Sequence, residues 1–158
     1  MKSCFCCKRK PESTHLYGDI SKEMEGLFYS HNGLALVAIV DYKGLVLSYM
    51  ANFCNNSVIS KEEKQPREKA IKSITQALLL KKQASECAVL LGYDFSTNFF
   101  LKRVTTTLII YDLIPTVQLV LIFEMDTLDT LFFNPNKYIN SNESNIVTII
   151  KKFIEKPK

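Results

Sequence analysis

The stretch from Leu34 to Met50, LALVAIVDYKGLVLSYM, sets the architecture of the chain. Its first run, 34–40, is continuously apolar and rich in branched residues, which is typical of a strand buried on both faces. Asp41–Gly44 (DYKG) is a turn sequence whose glycine supplies a positive φ. A second apolar run, 45–50, follows the turn. We therefore predict a β-hairpin.

Helical patterns lie before and after this hairpin. The segment Ile20–Phe28 carries apolar residues at helical spacing. We expect Gly33 to end this helix in the left-handed conformation. A long helix with an apolar stripe begins at Ser60 or Pro66 and continues towards Gly92. The hairpin is thus expected to pack between helices.

Three apolar segments follow in close order, FFLKRV (99–104), LIIYDLI (108–114) and VQLVLIFE (117–124). Branched and aromatic residues favour strands, and the short gaps favour an antiparallel meander. Residues 126–144 are predicted to be a long loop, and Asn145–Lys156 an amphipathic helix. The fold class is therefore α+β, a five-stranded antiparallel sheet with helices on its faces, in the order α-ββ-α-βββ-α.

Length and charge limit the functional classes. The 158 residues, 47% hydrophobic, fit one domain (18–158) preceded by a tail (1–17). The net charge of +4 comes without a basic stripe interleaved with aromatics, so we expect no nucleic-acid partner. The apolar runs are far shorter than the ~20 residues of a membrane-spanning helix. The polar start lacks the apolar core of a secretory signal, so we expect a cytosolic chain with reduced thiols.

The tail gathers three of the five cysteines into CFCCKRK, at Cys4, Cys6 and Cys7. They are too crowded for an ordinary zinc site, and a disulfide between neighbours is disfavoured by geometry and compartment. A redox switch would lack an evident resolving partner. Fatty acylation of these cysteines fits best, because stable membrane attachment needs two signals. The second signal is a set of basic residues that would meet an anionic membrane surface: Lys2, Lys8, Arg9 and Lys10.

No catalytic constellation is evident in the sequence. It has no phosphate-binding glycine loop, and its two histidines, His15 and His31, form no metal motif. Cys87, among apolar residues, is expected to be buried. Tyr111 is expected to bind the neighbouring Asp112 through its hydroxyl. We therefore expect no cofactor, no metal and no enzymatic activity.

Two segments carry a resemblance to a known family. ALVAIVDYKGLVLSY resembles the first hairpin of roadblock / dynein light chain domains, and FFLKRVTTTLIIYDLIPTVQLVLIF is similar to their closing three strands. The resemblance covers about Asp19 to Glu155. Longin and profilin-like domains share a similar plan. A helix before the hairpin would distinguish the roadblock plan from the longin plan, which begins with strands.

The resemblance implies a binding role. Roadblock domains pair through the long helix and the adjacent edge strand, as homodimers or with a related subunit, and serve as platforms for small GTPases or as parts of trafficking and dynein complexes. On this chain the pairing surface would lie on helix 66–84 and strand 99–104. Its candidate residues are Ile71, Ile74, Leu78, Phe99, Leu101 and Arg103.

These expectations together describe a scaffold on the cytoplasmic face of the plasma membrane or an endomembrane. A longin-like trafficking module is one alternative. A cysteine-dependent redox sensor or enzyme that uses Cys87 or the tail is another, and thiol alkylation rates would distinguish it.

Overall fold

The computed structural model describes residues 12–15, 20–52, 66–93 and 98–154, with no side-chain detail for 12–15, 66 or 67. The strands are β1 (Glu12–His15), β2 (Leu34–Asp41), β3 (Val46–Ala51), β4 (Asn98–Lys102), β5 (Thr106–Ile114) and β6 (Val117–Glu124). The helices are α1 (Ser21–Phe28), α2 (Pro66–Leu90), α3 (Thr127–Phe132), α4 (Pro135–Ser141) and α5 (Glu143–Ile154).

The strands form one antiparallel sheet in the order β1-β3-β2-β6-β5-β4. The α+β class and the five predicted strands are confirmed. β1 is an additional strand, which pairs with β3 from Glu12 opposite Ala51 to His15 opposite Ser48. It lies within residues 1–17, the segment that the sequence assigned wholly to a tail. Residues 12–15 therefore belong to the sheet, at its edge.

One face of the sheet, here called the two-helix face, is covered by α1 and α5. Met24 and Leu27 from α1 and Ile146 and Ile149 from α5 are buried in one cluster with strand residues such as Phe123. The Lys152 ammonium donates a hydrogen bond to Glu23 Oε1 at 2.9 Å and so links the two helices. The pairing fixes how α1 and α5 lie across the sheet.

The opposite face, here called the one-helix face, is covered by α2 alone. Ala70, Ile74 and Ala77 are buried against strand residues such as Ala38 and Val120. Small residues on both sides allow this helix to approach the sheet closely. Because β2 is covered by helices on both faces, each of its residues from 34 to 40 is buried, as its continuous apolar run predicts.

The two loop glycines behave differently. Gly44 has φ +85°, as expected for the DYKG turn. The prediction of a left-handed Gly33 is wrong, because Gly33 has no positive φ. A Cβ at Gly33 would lie 2.4 Å from Met125 Cγ, so this position needs glycine for close packing against the chain that leaves β6.

Residues 126–144, predicted to be a loop, contain α3 and α4. The Asp126 carboxylate accepts a hydrogen bond from the Asp129 N–H, and the Asn134 side chain accepts one from the Lys137 N–H. Both are helix N-caps. The buried Tyr138 anchors α4, since its hydroxyl lies 2.9 Å from Ser30 Oγ. The sequence analysis did not recognise these two caps, because each begins a short helix of six or seven residues.

Candidate interaction surface

The outer side of α2 presents apolar residues to solvent. Ala70, Ile74 and Ala77 face the sheet, so Leu79, two residues after Ala77, points away from it at about 100° per residue. Three exposed side chains lie over the body of the domain: Ile71, Leu79 and Leu80. The run of leucines at 78–80 spans too wide an arc of the helix for all three to be buried.

The carboxyl end of α2 extends past the sheet. Its 25 residues span about 37 Å, whereas an eight-residue strand spans about 26 Å. The helix passes the β2–β3 turn at Leu78, where a Cβ at Gly44 would lie 3.9 Å from Leu78 Cδ1. The overhanging end carries a second exposed apolar group: Val89, Leu90, Leu91 and Tyr93.

An ion pair holds α2 where it leaves the sheet. Asp112 Oδ1 accepts hydrogen bonds from Lys81 Nζ at 2.9 Å and from Gln118 Nε2 at 2.8 Å. The expected bond between Tyr111 and Asp112 is therefore not what holds this carboxylate. Successive strand residues point to opposite faces, and Tyr111 packs on the two-helix face while Asp112 meets α2.

The predicted pairing residues occupy three different environments. Ile74 is only 1% exposed and belongs to the core between α2 and the sheet. Ile71 and Arg103 are exposed. Half-buried residues that pack against the core of the one-helix face make up the rest: Leu78, Phe99 and Leu101. The edge strand β4 therefore turns two aromatic or aliphatic side chains towards the same side of the sheet as α2.

β4 is the last strand of the described sheet on the side away from β1. An edge strand can pair with a further strand through its outer backbone groups. Phe100, on the opposite face of β4 from Phe99 and Leu101, is exposed. Apolar residues thus flank a strand edge at one side of the molecule.

The candidates for chemistry do not form a site. Cys87 is exposed, contrary to the expectation that it is buried, because it lies on the overhanging end of α2. The Nδ1 atom of His31 accepts a hydrogen bond from the Gly33 N–H, and its ring packs edge-on against Phe123 and Tyr138. No group of three or more potential metal ligands occurs in the described part of the chain.

The predicted lipid anchor lies outside the described residues. This applies to Cys4, Cys6 and Cys7 and to the basic residues beside them, Lys2, Lys8, Arg9 and Lys10. Among the described helices, none has both the length and the apolar character needed to cross a bilayer.

Known structures with the same arrangement identify the fold. A Roadblock/LC7 domain from Streptomyces avermitilis superposes with a TM-score of 0.59 at 11% identity, covering 84% of this chain and 96% of that one. The chain adopts the roadblock fold. The gliding protein MglB from Thermus thermophilus superposes with a TM-score of 0.57 at 15% identity, covering 88% and 93% of the two chains. MglB from Myxococcus xanthus gives 0.55 at 16% identity, covering 86% and 98%.

The roadblock fold agrees with the element that precedes the hairpin. β1 precedes α1 in the chain, but α1 leads directly into the β2–β3 hairpin, and a helix before the hairpin is the feature expected to distinguish a roadblock domain from a longin domain. No protein-family model and no curated protein sequence matches the chain. The similarity to the roadblock structures is therefore one of backbone fold.

Proposed function

We propose that this chain is a non-enzymatic adaptor that dimerises, with itself or with a related roadblock-like subunit, and binds a small GTPase or a trafficking or dynein complex at a cytoplasmic membrane face. The observation that carries the proposal is the exposed apolar outer surface of α2 beside the edge strand β4. Several exposed apolar side chains on one helix, beside an unpaired strand edge, are features that mark protein interaction sites.

The pairing surface is the outer side of α2 together with β4. Each exposed aliphatic side chain that a partner covers contributes roughly 1–2 kcal/mol from loss of water contact. Ile71 and Leu79 lie on the exposed part of α2, and Arg103 follows the end of β4. Ile74 supports this surface from beneath, since it fixes α2 on the sheet. The assignment to GTPase or trafficking complexes rests on what the roadblock resemblance implies.

The dimer part is tested by placing charges on the outer side of α2. The double variant Ile71→Glu, Leu79→Glu would bury two carboxylates in the interface, so we expect it to be monomeric where the wild type is dimeric. Sedimentation velocity over a concentration series measures the change.

The matched control is Val147→Glu, Ile154→Glu on α5. Val147 and Ile71 are both 37% exposed, and Ile154, like Leu79, is exposed on the surface of its helix. The control should dimerise like the wild type. A wild type that stays monomeric, or an α2 variant that still dimerises, contradicts self-pairing through α2.

The membrane part is tested by changing Cys4, Cys6 and Cys7 together to Ser. We expect the wild type to fractionate with membranes of a eukaryotic cell and the triple variant to be released, because loss of the acyl chains leaves only the basic residues. Chemical exchange of thioesters for a mass tag should label the wild type alone. Equal fractionation of both proteins would contradict acyl anchoring.

A further inference from the structure

The short helix α3 exposes an apolar surface at one end of the sheet. Leu128, Leu131 and Phe132 occur at i, i+3 and i+4 and therefore share one side of the helix. The buried Thr130 lies on the opposite side and faces the protein. The Phe132 side chain is 79% exposed. Because Leu128, Leu131 and Phe132 are all exposed, none of them contributes to the core of the domain.

Basic residues adjoin this surface. Lys102 Nζ donates a hydrogen bond to the Leu131 carbonyl at 3.2 Å, and Arg103 and the exposed Val104 follow in the β4–β5 turn. The Met125 N–H donates to the Thr105 carbonyl at 3.0 Å, which holds the turn against the start of α3. The turn and α3 together form what we call the α3 surface: Lys102, Arg103, Val104, Leu128, Leu131 and Phe132.

Of the two acidic residues at α3, one caps the helix and the other flanks its apolar side. The Asp126 carboxylate caps the helix by accepting the Asp129 N–H at 2.7 Å. Asp129 is about 100° around the helix from Leu128 and so flanks the apolar side. The apolar side chains are therefore bordered by two cations at the β4 end and by one exposed carboxylate on the flank.

The strand register places the α3 surface at the same end of the sheet as the amino-terminal tail. Glu12, the first residue of β1, lies opposite Ala51, the last residue of β3. Ala51 lies opposite Leu36, which in turn lies opposite Ile122 near the end of β6. Since α3 follows β6 directly, the chain before Glu12 and α3 are attached at one end of the sheet.

The amino-terminal tail and the α3 surface are close enough to contact a single membrane surface. Six strands place β1 and β4 about 24 Å apart. Cys7 and Cys4 lie five and eight residues before Glu12, so an extended chain could place them roughly 17 and 26 Å from the sheet. Acylated cysteines at positions 4, 6 and 7 and the α3 surface can therefore contact the same membrane, at opposite edges of one end of the domain.

We propose that the α3 surface is a second membrane contact, in which Leu128, Leu131 and Phe132 enter the interfacial region of an anionic bilayer while Lys102 and Arg103 meet its lipid headgroups. An apolar insertion flanked by cations is the chemistry of interfacial binding. The inference rests on the proposed attachment of the tail, and it adds orientation. Two contacts attached at sheet edges about 24 Å apart hold the domain with this end of the sheet towards the lipid and leave α2 accessible.

Intrinsic fluorescence offers a direct test, because the chain contains no tryptophan. Phe132→Trp introduces a single indole into the α3 surface of the full-length, unacylated chain. Vesicles of phosphatidylcholine with 30% phosphatidylserine should shift its emission to shorter wavelength, and vesicles of phosphatidylcholine alone should shift it less. The control Ile154→Trp places an indole on the exposed end of α5, whose emission should not shift.

Co-sedimentation with vesicles tests whether removing apolar side chains of α3 weakens membrane binding. We expect Leu131→Ser, Phe132→Ser to lower co-sedimentation with the same anionic vesicles by about tenfold, whereas Val147→Ser, Ile154→Ser on α5 leaves it unchanged. An unshifted Phe132→Trp emission, or equal co-sedimentation of the two serine variants, would overturn the inference. Failure of tail acylation is distinguishable, since it appears in the cellular fractionation of the cysteine variant and leaves the vesicle assays unaffected.

Discussion

The two faces of the sheet are covered in different ways. On the two-helix face, α1 and α5 pack side by side, linked by the Glu23–Lys152 ion pair and reinforced by Tyr138 from α4. On the one-helix face, α2 packs alone and leaves apolar side chains on its outer side and overhanging end. Two helices of the chain share the first face, whereas a single helix covers the second, which is where we propose that a partner packs.

The largest expected difference between the faces is in the free energy of unfolding that is lost when a buried side chain is shortened and leaves a cavity. Ile149→Ala should lower the free energy of unfolding by about 4 kcal/mol and Ile74→Ala by about 2 kcal/mol, since α2 alone can settle into a cavity more easily than two interlocked helices. Both residues are almost fully buried. Urea denaturation in the Ile71→Glu, Leu79→Glu background measures this without subunit association. Equal losses would mean that α2 is held as firmly as α1 and α5.

A smaller difference concerns one carboxylate on each face. Burial raises the pKa of Glu23, but the hydrogen bond from Lys152, a backbone hydrogen bond and the charges of Lys152 and Lys22 together outweigh it and leave the pKa below its usual 4.5. Burial raises the pKa of Glu124, and the charge of Lys69 on α2 only partly opposes this. At pH 7 we expect Glu23→Gln to destabilise the fold and Glu124→Gln to stabilise it, each by roughly 1 kcal/mol.

The pH dependence follows from these signs. The stabilisation from Glu23 is present above pH 4.5 and is lost as the pH falls through its lowered folded pKa. The contribution of Glu124 is greatest below its unfolded pKa and is lost as the pH rises through its raised folded pKa. Urea unfolding of the two variants and the wild type from pH 3 to 8 checks both. Effects of the same sign at pH 7 would contradict the contrast between the faces.

The elements that the sequence predicted are those with a strong side-chain pattern. The continuous run at 34–40 and the closing meander gave the sheet, and the apolar stripes gave α1, α2 and α5. β1 has no such pattern in ESTH and is recognised by its backbone pairing with β3. A strand of four residues is too short to show a clear period in its sequence.

The candidate surface was predicted only in part. The resemblance indicated that α2 and β4 form the surface. It did not tell which of their residues point outward. Ile74 was assigned to the open side although it is buried, because a stripe on a helix does not tell which side faces the sheet. The α3 surface was missed because residues 126–144 were predicted to be a loop. In the structure Asp126 caps α3, and Asn134 caps α4 with Pro135 in its first turn.

The position of β1 has a mechanical consequence. The chain enters β1 at Glu12 and runs antiparallel to β3 over four residue pairs. Tension applied to the preceding residues along the strand direction loads these four residue pairs in shear, so the pairs must all break at the same time. The same tension applied across the sheet edge would break them one after another. A domain tethered by its amino terminus thus carries load best when its strands point along the tether.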